Sequence, residues 1–282
     1  MRFGIKTVPQ HTRWEPLLAV WQAADDVELF ESAWNFDHFY PIFSDSTGPC
    51  FEGWTMLAAM AAATRRIRIG CQVTGMVYRH PAVLANMAAT VDVVSGGRLD
   101  LGLGAGWNQE ECDAYGIELP PLKERFDRFD EGVEAIVRLL SDPTTTLDGH
   151  HVRLRDARCE PKPVQQPCPP IVIGGTGRRR TLRTAARWAD QWNSLPRSPE
   201  TWRELRDVLD EHCAKEGRDP SEIESSVNVR YDRGAGPGPM AEAAATFFEA
   251  GVDLVVVGLP APYDPADVDV VAGTLSELAE AG

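Results

Sequence analysis

The chain has 282 residues, 43% hydrophobic and 25% charged, with a formal net charge of −14. That charge would repel nucleic acid and anionic lipid, no apolar run suggests a membrane span, and residues 1 to 30 lack the basic-then-apolar order of a signal peptide. An ordinary globular protein of the cytoplasm is expected, with neither a nucleic acid nor a membrane as partner.

Six cysteines, Cys50, Cys71, Cys112, Cys159, Cys168 and Cys213, form no CxxC pair. They read as free thiols, and neither a zinc knuckle nor a redox dithiol is indicated. The length suits one α/β barrel of about 250 residues as well as two small domains, so the pattern along the chain must decide.

Phe3 to Thr7 reads as a first strand and Trp14 to Ala24 as the helix after it. A second strand, Ser32 to Phe36, ends in Asp37-His38-Phe39-Tyr40-Pro41, and a long irregular segment rich in Ser, Pro and Gly then runs to Gly53. Trp54 to Ala63 is small and apolar enough for a closely packed helix.

The stretch from Ile67 to Trp107 is the most legible. Ile67, Ile69 and Val73 form a short apolar run, after which Leu84, Met87, Val91 and Val94 recur at helical spacing behind Pro81, a good first-turn residue. Ser95-Gly96-Gly97 supplies a left-handed cap, and Leu99, Leu101 and Leu103 lead into Gly104-Ala105-Gly106. This is a parallel βαβ unit, in which ligands gather beyond the carboxyl ends of the strands.

Lys123 to Leu140 is a helix with Phe126, Phe129, Val133, Ile136 and Leu140 on one stripe. From Ser141 to Pro170 the pattern breaks into a hairpin-type turn at Asp148-Gly149 and a proline-rich run, an insertion because βα units resume after it. Ile171 to Ile173 is a buried-type strand and Arg178 to Ala189 a helix. Then follow strand Gln191–Ser194, helix Glu200–Glu216, strand Ser226–Arg230, helix Met240–Ala250, strand Leu254–Gly258 and a last helix within Pro265–Ala281. Eight strands alternating with helices predict a (β/α)8 TIM barrel, one domain over residues 1–282, with an insertion near 141–170.

Gly174-Gly175-Thr176-Gly177 lies between a strand and a helix, where free N–H groups and the helix dipole favour an anion. Arg178, Arg179 and Arg180 oppose that dipole, and a bound phosphate or carboxylate would account for them; the alternative is a glycine turn with solvated arginines. Neither GxGxxG nor Gly-Lys-Ser/Thr spacing is present. Asp37-His38 lies at a strand end on the expected catalytic rim, where a histidine can donate to a carbonyl and move a proton near neutral pH, although a loop histidine beside an aspartate is often structural. Trp107, Tyr78, Trp192 and Phe39, at predicted strand ends, could wall a pocket for a flat ring, with core packing as the alternative for each. His80, His150 and His151 receive no metal role.

Three ordered segments carry a family resemblance: FDHFY at 36–40, YRHPAVLANMAATVDVVSGGRLDLGLGAGWNQEE at 78–111, and IVIGGTG with RRRTLRTAARWADQWN at 171–193. Together they resemble the bacterial luciferase-like monooxygenase superfamily, and within it are most similar to the deazaflavin (coenzyme F420)-dependent oxidoreductases of actinobacteria. The resemblance implies a barrel with an insertion, usually a homodimer, that binds F420 or FMN at the carboxyl rim and acts on a small molecule. It implies that Asp37 and His38 form the strand-end pair, with His38 facing cofactor or substrate as the catalytic group. Gln72, Val73 and Thr74 match the bulged strand that backs the ring, with a non-prolyl cis peptide placed at Gln72-Val73. Ala105, Gly106 and Trp107 match the cofactor-side turn, and Gly174, Gly175, Thr176, Gly177 and Arg178 the phosphate-binding turn. In the sugar-phosphate dehydrogenases of the group an acidic residue follows the turn glycine. Trp107 stands there in this chain, which argues against glucose-6-phosphate and for an apolar or planar substrate. The competing expectations are an FMN-dependent monooxygenase, a non-catalytic flavin-binding carrier, and a flavin-free barrel enzyme acting on a sugar phosphate.

Overall fold

The computed structural model describes residues 1–281. Its strands are β1 (Arg2–Lys6), β2 (Phe30–Asn35), β3 (Arg68–Cys71), β4 (Thr74–Gly75), β5 (Leu99–Gly104), β6 (Thr145–Asp148), β7 (Arg153–Ala157), β8 (Ile171–Gly174), β9 (Gln191–Ser194), β10 (Glu224–Arg230) and β11 (Leu254–Gly258). Its α-helices are α1 (Trp14–Asp26), α2 (Gly53–Ala63), α3 (Pro81–Ser95), α4 (Gln109–Tyr115), α5 (Leu122–Ser141), α6 (Thr181–Trp188), α7 (Pro199–Glu216), α8 (Gly238–Ala250) and α9 (Ala266–Ala281).

Strands β3-β2-β1-β11-β10-β9-β8-β5 pair in parallel, and a β3–β5 pairing closes the sheet. The two-residue β4 continues β3 beyond a bulge, so this is the eight-staved (β/α)8 barrel expected from the alternation. The insertion is an antiparallel β6–β7 hairpin followed by the proline-rich run.

Strand parity divides the interior into two apolar layers, because successive side chains point to opposite faces. Phe3, Ile5, Ala33, Ile69, Leu101, Ile173, Val255 and Val257 face the helices and join one large cluster with their buried stripes, such as Phe129, Val133 and Ile136 of α5. Trp34, Val172, Leu254 and Val256 form a second cluster inside the barrel. Gly4 and Gly70 give the Trp34 indole its room: a Cβ on Gly70 would come within 2.6 Å of the ring. Packing of this kind, at about 1.5–3 kcal/mol per buried large side chain, dominates the stability.

Three local expectations are corrected. Strand β2 begins and ends earlier than Ser32–Phe36, and Phe36 already belongs to the loop. The run from Ile67 to Val73 is not one strand, since β3 ends at Cys71, while the Gln72–Val73 peptide in the bulge beyond it is cis as the resemblance implies. Helix α6 starts at Thr181 rather than Arg178. Helix α4, which the sequence did not announce, is capped by Asn108 and ends on Gly116 in the left-handed region (φ 65°). As expected, Pro81 opens α3, and the His80 ring accepts a hydrogen bond from Ala82 N–H at 3.2 Å.

Candidate active site

A cavity of about 410 Å³ opens at the carboxyl ends of the barrel strands. It takes one wall from His38 and Trp107, its floor from Lys6, Gln72 and Val73, and the opposite wall from Gly174 and Gly175. This is the rim on which barrels of this type assemble their sites.

The bulge at Gln72-Val73 is possible because of glycines on the neighbouring strands. A Cβ on Gly104 or Gly174 would lie 2.7 Å from a Val73 methyl, and one on Gly102 would lie 1.9 Å from the Cys71 carbonyl oxygen. Glycine at all three inward positions therefore lets the bulged strand intrude and present Val73 to the cavity.

The side wall centres on His38, nearly fully buried. Its Nδ1 lies 2.7 Å from Glu111 Oε2. Glu111, itself wholly buried, also accepts hydrogen bonds from the Phe39 N–H, from Asn108 Nδ2 at 3.0 Å and from the Tyr78 hydroxyl at 3.3 Å. A carboxylate can only accept, so this partner holds the proton on Nδ1 and leaves Nε2 as the acceptor of the neutral ring. Burial, followed by the nearby Glu111 charge, pushes the Tyr78 phenol far up, so Tyr78 acts as a neutral donor. Asp37 is committed differently. Both of its oxygens take the Arg79 guanidinium, at 2.5 and 2.9 Å, and Arg79 is shared with Glu52, the cap of α2. The paired Asp37 anchors the loop that carries His38.

Trp107 packs edge-on to His38, with ring centroids 5.5 Å apart, and stacks at 9° on Phe43 of the long loop. Half of Trp107 and most of Phe43 remain exposed. The loop is clamped to β1's exit by a reciprocal pair between the Gln10 amide and the Ile42 backbone, at 3.1 and 2.9 Å.

Of the residues singled out in the sequence, Asp37, His38, Gln72, Val73, Tyr78, Ala105, Gly106, Trp107, Gly174, Gly175 and Thr176 converge on this cavity. Five do not. Trp192 is fully buried on the outward face of β9, stacked on Trp202, with its indole N–H donated to the Gly175 carbonyl at 2.8 Å; the inward residue is its neighbour Asn193. Phe39 turns away to stack on Tyr115 at 4.7 Å. Thr74 is buried and accepts from the Trp54 indole N–H at 2.8 Å. Gly177 lies beyond the cavity, its carbonyl accepting from Leu182 N–H. Arg178 pairs with Glu204 at 2.7 Å, while Arg180 bridges Asp127 and Asp130 at 2.8 Å each. Carboxylates of the protein thus supply part of the compensation that the arginines were expected to draw from a ligand. No side chain caps α6, although the Gly177 carbonyl already takes the Leu182 N–H of its first turn.

The sequence by itself does not mark Glu111 and Lys6 as site residues. Lys6 is the last residue of β1 and shares the inward parity of Gly4, a signal that period-two counting from the strand could have used. Glu111 lies on a short helix after β5 and offers no such local signal. Among the described residues no group of three or more His, Cys, Asp or Glu is arranged to hold a metal ion.

A closed barrel with a buried histidine–carboxylate pair beside an apolar cleft at its carboxyl rim has the layout of a barrel-enzyme site. The family model for luciferase-like monooxygenases matches residues 1–248, and the chain belongs to that family of oxidoreductases and monooxygenases. It is 30% identical over 278 residues to the F420-dependent glucose-6-phosphate dehydrogenase of Microbacterium testaceum, covering 98% of this chain and 80% of that one. In structure it is similar to an F420-dependent secondary alcohol dehydrogenase in complex with an F420-acetone adduct, with TM-score 0.87, 21% identity and 98% of both chains covered. It is also similar to monooxygenase RslO1 from Streptomyces bottropensis, with TM-score 0.74, 24% identity, and 99% and 98% covered.

Proposed function

We propose that the protein is an F420-dependent oxidoreductase that moves a hydride between C5 of the deazaflavin and a small organic substrate. The observation that carries the reading is the apolar, glycine-walled cleft over the Val73 bulge with the His38–Glu111 pair at its side. A flat tricyclic ring suits it: Gly104 and Gly174 offer backbone rather than side chain to a ring edge, and Val73 offers a face. The side-chain-free start of α6, with Gly175, Thr176 and Thr181 in the cavity lining, suits the cofactor's phosphate. When bound, deazaflavin supplies hydride chemistry at a carbon centre and lacks the N5 that supports easy oxygen activation.

The chain's own residues then have a limited task. His38 Nε2 takes or returns the single proton of the substrate, while Glu111 fixes the orientation and tautomer of the ring. Trp107 and Phe43 hold the substrate over the ring and exclude water. Their aromatic surface, where the sugar-phosphate enzymes have an acid, suits an apolar or planar substrate and not glucose 6-phosphate. A homodimer is part of the same reading and rests on the resemblance alone.

Titration of the purified protein with F420 and with FMN tests the proposal. Tight F420 binding supports it, and tight FMN binding with no F420 binding would replace it with an FMN-dependent monooxygenase.

A further inference from the structure

The cavity floor holds a group of polar side chains that neither the His38–Glu111 pair nor the phosphate turn employs. The Lys6 ammonium donates to the Gln72 carbonyl at 2.8 Å and to its Oε1 at 3.3 Å. Asn228, on β10, donates to the same Oε1 at 2.9 Å, and its own oxygen accepts from Asn193 at 3.0 Å. This chain of amides sets every orientation in turn. With two donors on its oxygen, the Gln72 side chain turns its NH2 away, and that buried Nε2 has no partner.

Lys6 and Gln72 both line the cavity. Gln72 takes two of the three N–H donors of the ammonium, which leaves one Lys6 donor without a protein partner beside the buried, orphaned Gln72 amide. A buried donor without a partner costs free energy, and two on one surface call for an electron-rich acceptor. Asp37, an acid in the cavity lining, is already held by Arg79. Burial lowers Lys6 to about 8, which leaves the ammonium largely charged at neutral pH.

We infer that Lys6 and Gln72 receive the carbonyl edge of the cofactor's pyrimidine ring, and that the Lys6 charge makes the site prefer the reduced cofactor to the oxidised one. The inference rests on the deazaflavin reading above. Reduction raises electron density along the N1–C2=O edge of such rings, so a fixed cation stabilises the reduced form more than the oxidised form. A carbonyl or carboxylate of the substrate offers the same chemistry to the same donors, and the experiment separates the two sources.

The test is anaerobic titration with oxidised and reduced F420, without substrate, of the wild type and of Lys6→Met and Lys6→Gln. Both substitutions remove the charge, and the second keeps a donor should the first fail to fold. The ratio of the oxidised to the reduced dissociation constant is expected to fall about tenfold to a hundredfold in each variant. A ratio within twofold of wild type overturns the inference. Because no substrate is present, such an unchanged ratio would assign the patch to the substrate instead. If the wild type binds FMN but not F420, the deazaflavin reading fails, and the same ratio measured with FMN decides the role of Lys6. If it binds neither, both fall together.

Discussion

Glu111 Oε2 lies 2.7 Å from His38 Nδ1, joining residues 73 apart in sequence across the mouth of the barrel. The strand-end loop after β2 supplies the histidine, and the helix after β5 supplies the carboxylate. Glu111 is sealed from solvent and the His38 side chain is only 9% exposed, so the pair is set by the fold rather than by hydration.

The pair predicts a graded loss of activity. His38→Ala should lower kcat about 10²–10⁴-fold, the usual worth of a positioned proton-transfer group. Glu111→Gln keeps an acceptor for the Phe39 N–H but loses the charge, and should lower kcat about 10–100-fold. Cofactor affinity should change less than kcat in both variants. Steady-state kinetics beside cofactor titration checks this, and equal losses from the two substitutions would contradict the assigned order.

Gly174→Ala would put a methyl 2.7 Å from Val73 Cγ1. Overpacking of this kind costs about 1–3 kcal/mol and should weaken cofactor binding by displacing the bulge. Val73→Ala in the same chain removes both colliding methyls and should restore much of the loss. A double-mutant cycle on thermal unfolding and on cofactor affinity reads the coupling, and additive effects would rule out the contact as the cause.

Trp107→Ala removes the ring that separates His38 from the open side of the cleft. KM for apolar or planar substrates should rise about tenfold, equivalent to the loss of one aromatic contact, with cofactor affinity unchanged. Unchanged substrate kinetics would show that the ring takes no part in recognition.

Asp25, buried at the end of α1, accepts backbone N–H bonds from Ile67, Arg66 and Arg65 at 2.7–2.8 Å. Burial raises its pKa, but the three donors and the Arg66 charge outweigh that and hold the carboxyl below the usual aspartate range. Because the folded value is depressed, this stabilisation is present above the unfolded value near 3.8 and is lost as pH falls through the folded value. Asp25→Asn should lower stability at pH 7 by about 1–3 kcal/mol and flatten the acid limb of the unfolding curve. Chemical denaturation between pH 2 and pH 7 measures both effects.

The sequence alone carried the architecture a long way. Leucine, valine and isoleucine runs at strand length, helical stripes such as that of α5, and glycine or proline at the joints are local signals, and their alternation is enough to demand a barrel. The same locality made the rim legible, since Asp37-His38, Gly104-Ala105-Gly106 and Gly174-Gly175 each sit where a strand must end.

Which side chains meet at that rim was decided only by the tertiary structure. Parity along β9 sends Trp192 outward against Trp202 and brings Asn193 inward, and a one-residue shift in a strand reverses such an assignment completely. The Gln72-Val73 bulge resets the parity of its own strand, the closure of β3 on β5 brings Glu111 to His38, and the inward parity of β1 brings Lys6 to Gln72. These contacts join segments far apart in the chain, and no periodicity within one segment can specify the side chain that will face it from another.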